Sequence, residues 1–212
     1  MRRLLALAAL VLAMSVRNAQ ATTITFEDQG FVPTPPFNAE PRNGDLTSGG
    51  FFFDMAGPNP VYQLANNSAH VDNGTTYLVT EGTPSRVTFS PSGGGSFALT
   101  SFNYAEWQEA ATAHAIRVTG NQVGGGTVST TLNLDLIFDG PGGQPDFQTA
   151  AFGPQWANLV SVVLEGSGAT FGTLNYFAID NIVVDTVPEP GTLSLLGLGS
   201  AYLVRRRQRN RR

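Results

Sequence analysis

The chain has no cysteine, no lysine, only two histidines, and no apolar run of the ~20 residues that a membrane-spanning helix needs. Without cysteine there are no disulfides, no thiolate nucleophile and no Cys-ligated metal. A chain of 212 residues is long enough to bury a core without such staples. His70 and His114 are 44 positions apart, far from H-E-x-x-H or any other short metal spacing. No G-x-S-x-G elbow occurs, and "EGSGA" (165–169) reads as a turn. "VGGGT" (123–127) lacks the lysine of a phosphate cradle and reads as a hairpin loop. No repeat with a period of 20–50 residues is found.

The charge that is present is unevenly placed. All 12 basic residues are arginine: three fall in the first 17 positions and six in the last eight. Between Thr22 and Thr186 only Arg42, Arg86 and Arg117 stand against 15 acidic residues, a net −12. Such a body repels phosphate backbones, which argues against nucleic acid as its partner.

The first 21 residues have the three parts of a secretory signal peptide. Arg2 and Arg3 supply the positive start, and Leu4 to Met14 the apolar stretch. Ala19 and Ala21 in "AQA" supply the small residues before a cleavage that leaves Thr22 first. Signal peptidase is the implied partner and export the implied fate.

The other end reads "VPEPGTLSLLGLGSAYLVRRRQRNRR". Leu193 to Val204 is an uncharged run that as a helix would span ~18 Å, against a hydrocarbon core of ~30 Å. Arg205, Arg206 and Arg207 follow as a positive-inside stop. Pro188 and Pro190 break regular structure around Glu189. An ordinary single-pass anchor and a nucleic-acid-binding tail are the competing readings. The triplet Pro188-Glu189-Pro190, the apolar helix and the arginine cluster, in that order over 187–212, resemble the PEP-CTERM sorting signal of Gram-negative bacteria. The resemblance implies processing by an exosortase-type membrane protease, transient anchoring by the short helix, and delivery to the cell surface or to extracellular polysaccharide.

Between these ends, 22–186 alternates with a period of two. Strand-like segments are expected at 22–26, 50–54, 76–80, 86–90, 96–104, 115–120, 127–138, 147–152, 159–166 and 177–185. They are rich in Val, Ile, Thr and Phe and are punctuated by Gly, Pro, Asn and Asp. "SGGGS" (92–96) reads as a second hairpin loop. In 127–138, Val128, Thr130, Leu132, Leu134, Leu136 and Phe138 are expected on one face, with Asn133 and Asp135 opposite. Only 104–115 breaks the pattern, as one or two helical turns or a polar loop. The fold expected is all-β, an antiparallel β-sandwich of jelly-roll type, between a signal peptide (1–21) and a sorting segment (187–212). "ITFED" and "FAIDNIVVD" resemble the opening and closing strands of jelly-roll modules such as carbohydrate-binding domains.

Two sets of residues invite chemistry. Glu106 and Glu109, beside Trp107, evoke the carboxylate pair of a glycosidase, which would make the chain a secreted polysaccharide hydrolase; a solvated polar surface is the plainer reading. The jelly-roll resemblance implies a structural calcium where first and last strands meet, which Glu27 or Asp28 with Asp180 would hold; capping of backbone groups is the alternative. The aromatics of "GFFFD" (50–54), Tyr104, Trp107 and Trp156 are a candidate sugar-stacking surface. The expectation is an exported, non-enzymatic surface or matrix protein, with no cofactor beyond a candidate calcium and extracellular polysaccharide as candidate partner.

Overall fold

The computed structural model describes residues 20–34, 38–56, 61–66, 71–81, 84–107, 112–137, 146–168 and 175–187. Thirteen strands carry the fold: β1 (Gln20–Ile24), β2 (Ala39–Asn43), β3 (Leu46–Ser48), β4 (Phe51–Met55), β5 (Val61–Ala65), β6 (Tyr77–Glu81), β7 (Arg86–Pro91), β8 (Ser96–Glu106), β9 (Ala115–Gln122), β10 (Thr127–Asn133), β11 (Gln148–Ala151), β12 (Leu159–Ser167) and β13 (Phe177–Val187). Single 3-10 turns lie at Glu27–Gln29 and Pro154–Trp156. Ala21–Thr186 is one compact unit. Among the described residues no helix is long and apolar enough to cross a membrane. The apolar stretch of the expected signal peptide, the Pro188–Pro190 triplet, the expected C-terminal apolar helix and the arginines after it lie outside the described residues.

The strands form the two layers of a sandwich. One is β2-β5-β6-β13-β8, with β1 on β13 and β11 on β8; the other is β10-β9-β12-β7-β4-β3. A single pair, Leu159 opposite Phe97, links them through β12 and β8. The ladders are antiparallel, as in β4–β7, where Phe53 faces Phe89. An isolated parallel bridge joins Thr112 to Tyr176.

Period-two alternation explains why the layers close. In β4, Phe51, Phe53 and Met55 point inward while Phe52 and Asp54 point out. Their rings join a phenylalanine cluster: Phe53 stacks on Phe89 at 5.5 Å, and Phe51 meets Phe97 edge-on at 5.1 Å. Such pairs add about 0.5–1.5 kcal/mol each beyond the burial itself. Leu64, Leu78, Leu99 and Ile179 from the first layer meet Val118, Val162 and Leu164 from the second in the same core.

The loop at 123–127 forms the expected hairpin, joining β9 to β10, whereas the loop at 92–96 is not a hairpin: it joins β7 of the second layer to β8 of the first, which do not pair. Gly124 and Gly125 take φ of +90° and +94°, a region that side chains avoid. Three strands were not legible: β2 is polar and contains a proline, β3 has three residues, and β5 follows the Pro-rich stretch at 58–60.

Two more expectations are corrected. β10 stops at Asn133, not at residue 138. The Leu134 N–H goes to the carbonyl of His114, and that of Leu136 to the Glu106 carboxylate. Leu136 adopts φ +57°, and Ile137 is left 55% exposed. The other correction is 104–115, whose first three residues continue β8 instead of forming a helical turn. Trp107, Thr112 and Ala113 beyond them are buried, so the described part of that segment is not a polar loop either.

Candidate functional site: a carboxylate pair beneath the 71–76 loop

On the outer face of the first layer a second, smaller core gathers Ala65, Val71, Tyr77, Val79, Ala105, Trp107 and Ala178. Tyr77 organises it. Its ring meets Phe147 at 5.2 Å and Trp107 at 6.2 Å, and its hydroxyl donates to the Val71 carbonyl at 2.5 Å. That bond fixes the start of the loop 71–76 over β13.

The loop lies on two carboxylates from opposite ends of the domain. Glu27, in the 3-10 turn after β1, accepts from the Thr76 N–H at 2.6 Å and the Thr76 hydroxyl at 3.0 Å. Asp180, on β13, is fully buried. Its Oδ2 accepts from Asn73 Nδ2 and Thr75 Oγ1, both at 2.7 Å, and from Asn181 Nδ2 at 3.3 Å. Its Oδ1 has no partner. Burial pushes the Asp180 pKa up to about 6; the Thr75, Asn73 and Asn181 hydrogen bonds oppose this, and the Glu27 charge adds to it.

Backbone geometry supports the placement. Asn181 takes φ +49° in mid-strand. Ile179 faces the main core, so by alternation its neighbours Ala178 and Asp180 face outward, and the one extra residue at Asn181 returns Ile182 to the core. Phe26, before Glu27, is likewise left-handed at φ +58°, with its ring fully buried.

The Thr75 hydroxyl has more acceptors than it can serve. With one proton, it lies within reach of both Asn73 Oδ1 (2.8 Å) and Asp180 Oδ2 (2.7 Å). Two carboxylates, neutral Asn and Thr oxygens and one orphaned buried oxygen suit a hard cation such as calcium. Among the described residues no group of three or more acidic, His or Cys side chains gathers. A metal here would therefore rest on Glu27 and Asp180 plus neutral oxygens. Asp28, the other acidic candidate, is committed elsewhere: it accepts from Ser48 Oγ at 2.6 Å and the Gly49 N–H at 3.0 Å. Partial burial opposes its ionisation, but the bonds from Ser48, Gln29 and Gly49 outweigh it and lower its pKa.

Of the glycosidase-like pair only Glu106 lies among the described residues. Glu106 ends β8 on the strand and is 1% exposed, not on a helical face or a solvated surface. Its Oε1 accepts the Leu136 N–H at 2.7 Å, while Oε2 has no partner. Burial raises its pKa; the Leu136 N–H offsets part of the rise, and the neighbouring Asp135 carboxylate adds to it. A carboxyl so enclosed has no open side for a sugar. Glu109 and His70 lie outside the described residues. The sugar-stacking surface is also corrected: Phe51, Phe53, Tyr104, Trp107 and Trp156 are buried, and of that set only Phe52 stands out, at 40% exposure.

The ladders define an all-β sandwich, and the sequence that follows it has its own assignment. Residues 186–209 match the PEP-CTERM protein-sorting motif. No curated protein matches the chain. Among solved structures, TmCBM61 in complex with β-1,4-galactotriose overlaps at 11% identity and TM-score 0.31, over 77% of this chain and 94% of that one. The K1 cleaved adhesin domain of Lys-gingipain from Porphyromonas gingivalis W83 overlaps at 10% identity and TM-score 0.41, over 71% and 99%. Arabinose-bound MgGH51 α-L-arabinofuranosidase overlaps at 13% identity and TM-score 0.35, over 80% and 27%.

Proposed function

We propose that the chain is an exported, non-enzymatic surface or matrix protein. Signal peptidase removes 1–21, an exosortase-type protease resolves the tail near Pro188–Pro190, and the β-sandwich remains at the cell surface or in extracellular polysaccharide. The observation that carries this reading is the sorting motif at 186–209, which begins at the end of the last strand of the sandwich. The short apolar run suits a transient handle, because at ~18 Å it falls well short of a bilayer core of ~30 Å. The strongly acidic body and the enclosure of Glu106 favour a displayed module over a catalyst. Calcium bound by Glu27 and Asp180 would neutralise buried charge and pin the 71–76 loop onto β13.

Mass spectrometry of the protein at the surface of a host with the sorting protease tests the reading. The expected product lacks the arginine block. Glu189→Ala, or deletion of 188–190, leaves an uncut, membrane-associated form. Recovery of an intact C-terminus at Arg212 would show an ordinary anchor. Binding without turnover on a glycan array supports a polysaccharide-associated role. Turnover abolished by Glu106→Gln or Glu109→Gln would establish the hydrolase reading instead.

A further inference from the structure

We infer that β10 is a self-pairing edge, through which two copies of this chain join their second layers into one continuous sheet. The other short ladder ends are blunted. β2 carries Pro41 and the Arg42–Glu40 ion pair (3.1 Å), β3 has three residues, β11 has four, and β1 has five. These are the usual devices that keep a sheet edge from recruiting another strand. β10 has none of them. It runs seven residues, "TVSTTLN", without charge, proline or bulge, and pairs in unbroken register with β9. Among the described residues β9 is the only strand that pairs with it, and at its end the Tyr104 hydroxyl donates to the Asn133 carbonyl at 3.4 Å.

The pattern of β10 says what pairs with it. Val128, Thr130 and Leu132 lie on the core side, half-buried, and Thr127, Ser129, Thr131 and Asn133 face out. Val128 and Leu132 pack against the main core without being fully covered by it. The strand is symmetric in character about Thr130. An antiparallel copy centred there puts Val128 opposite Leu132 of the second copy, Ser129 opposite Thr131, and Thr130 opposite itself. All seven residues pair, each core-side residue meets a core-side residue, and no charges are opposed. A one-residue slip would set core-side residues against outward ones. This self-complementarity is the property of an isologous two-fold interface.

The absence of native cysteine makes the test direct, because after one substitution any disulfide is between chains. The full chain, exported in its host and treated with a mild oxidant, is run on a non-reducing gel. Thr130→Cys is expected to give a covalent species of doubled mass. Thr127→Cys is expected to stay single, since its two copies would lie ~20 Å apart along the strands. In the Thr130→Cys background, Ser129→Lys with Thr131→Lys sets like charges opposite one another and should abolish the cross-link. Ser129→Lys with Thr131→Glu sets opposite charges in the same places and should restore it. Equal cross-linking at 127 and 130, no cross-link at 130, survival of the cross-link in the two-lysine variant, or failure of the charge-reversed pair to restore it would each overturn the inference.

Discussion

Removing the charge of Asp180 separates a calcium site from a hydrogen-bonded loop cap. Burial and the Glu27 charge hold the Asp180 pKa at about 6, against 3.8 for an unperturbed group. At about 1.4 kcal/mol per pH unit, ionising it inside the fold costs about 3 kcal/mol near neutrality. Because the folded value is raised, stability is fullest below the unfolded value and is lost as pH rises through about 6. A cation that binds only the folded state reverses this loss. At a free concentration one hundred times its dissociation constant it contributes about 2.7 kcal/mol. For a domain of this size that is a rise in melting temperature of roughly 5–11 °C. Asp180→Asn keeps an acceptor where Oδ2 meets Asn73 and Thr75 and puts an NH2 where Oδ1 now has no partner. The variant should melt several degrees above the native chain in excess chelator and gain nothing from calcium. The assay is a thermal melt of both proteins in millimolar calcium and in chelator, at pH 5 and pH 7. A native melt that ignores calcium removes the metal. An Asp180→Asn variant that melts lower in chelator shows that the carboxylate acts as a loop cap.

Edman sequencing of the exported protein should start at Thr22; a start at Met1 on surface-located protein refutes the signal-peptide reading. Glu106→Gln retains the bond from the Leu136 N–H and turns the unpartnered oxygen into a donor toward Asp135, so its melting temperature at pH 7 should rise, by about 1–2 kcal/mol in stability. Since the Glu106 pKa is raised, native stability falls as pH climbs through that value, and the variant should lose this slope; a lower melt with an unchanged pH profile would contradict the burial argument. Phe89→Ala empties the centre of the ring cluster against Phe51, Phe53 and Phe97 and should cost about 3–5 kcal/mol, measured by denaturant unfolding.

What could be read along the chain was what depends on neighbours in sequence. The apolar run with its small residues at Ala19 and Ala21, and the order of triplet, apolar run and arginines at the other end, are contiguous patterns. So is the alternation that placed Phe51, Phe53 and Met55 on one face, and so is the glycine run at 123–127 that became a hairpin loop, whereas the similar run at 92–96 crosses between layers. What depends on partners far away in sequence came only with the tertiary structure. Glu27 and Asp180 were expected together from a family resemblance, but the loop that holds both, through Asn73, Thr75 and Thr76, has no signature of its own. It becomes a site because Tyr77 anchors Val71 and so holds the loop over β13, where Asp180 faces outward next to Ile179. Glu106, Trp107 and Tyr104 looked like surface chemistry because polar and aromatic residues alternate there with alanine. β8 instead carries Tyr104 and Glu106 into buried positions, Trp107 just past its end is buried too, and a backbone N–H thirty residues away claims the Glu106 carboxylate. Past Asn133 the apolar alternation continues but the strand does not: Leu134 still reaches the His114 carbonyl, and then the Leu136 N–H turns to the Glu106 carboxylate, because a strand lasts only as long as its N–H groups find no better acceptor.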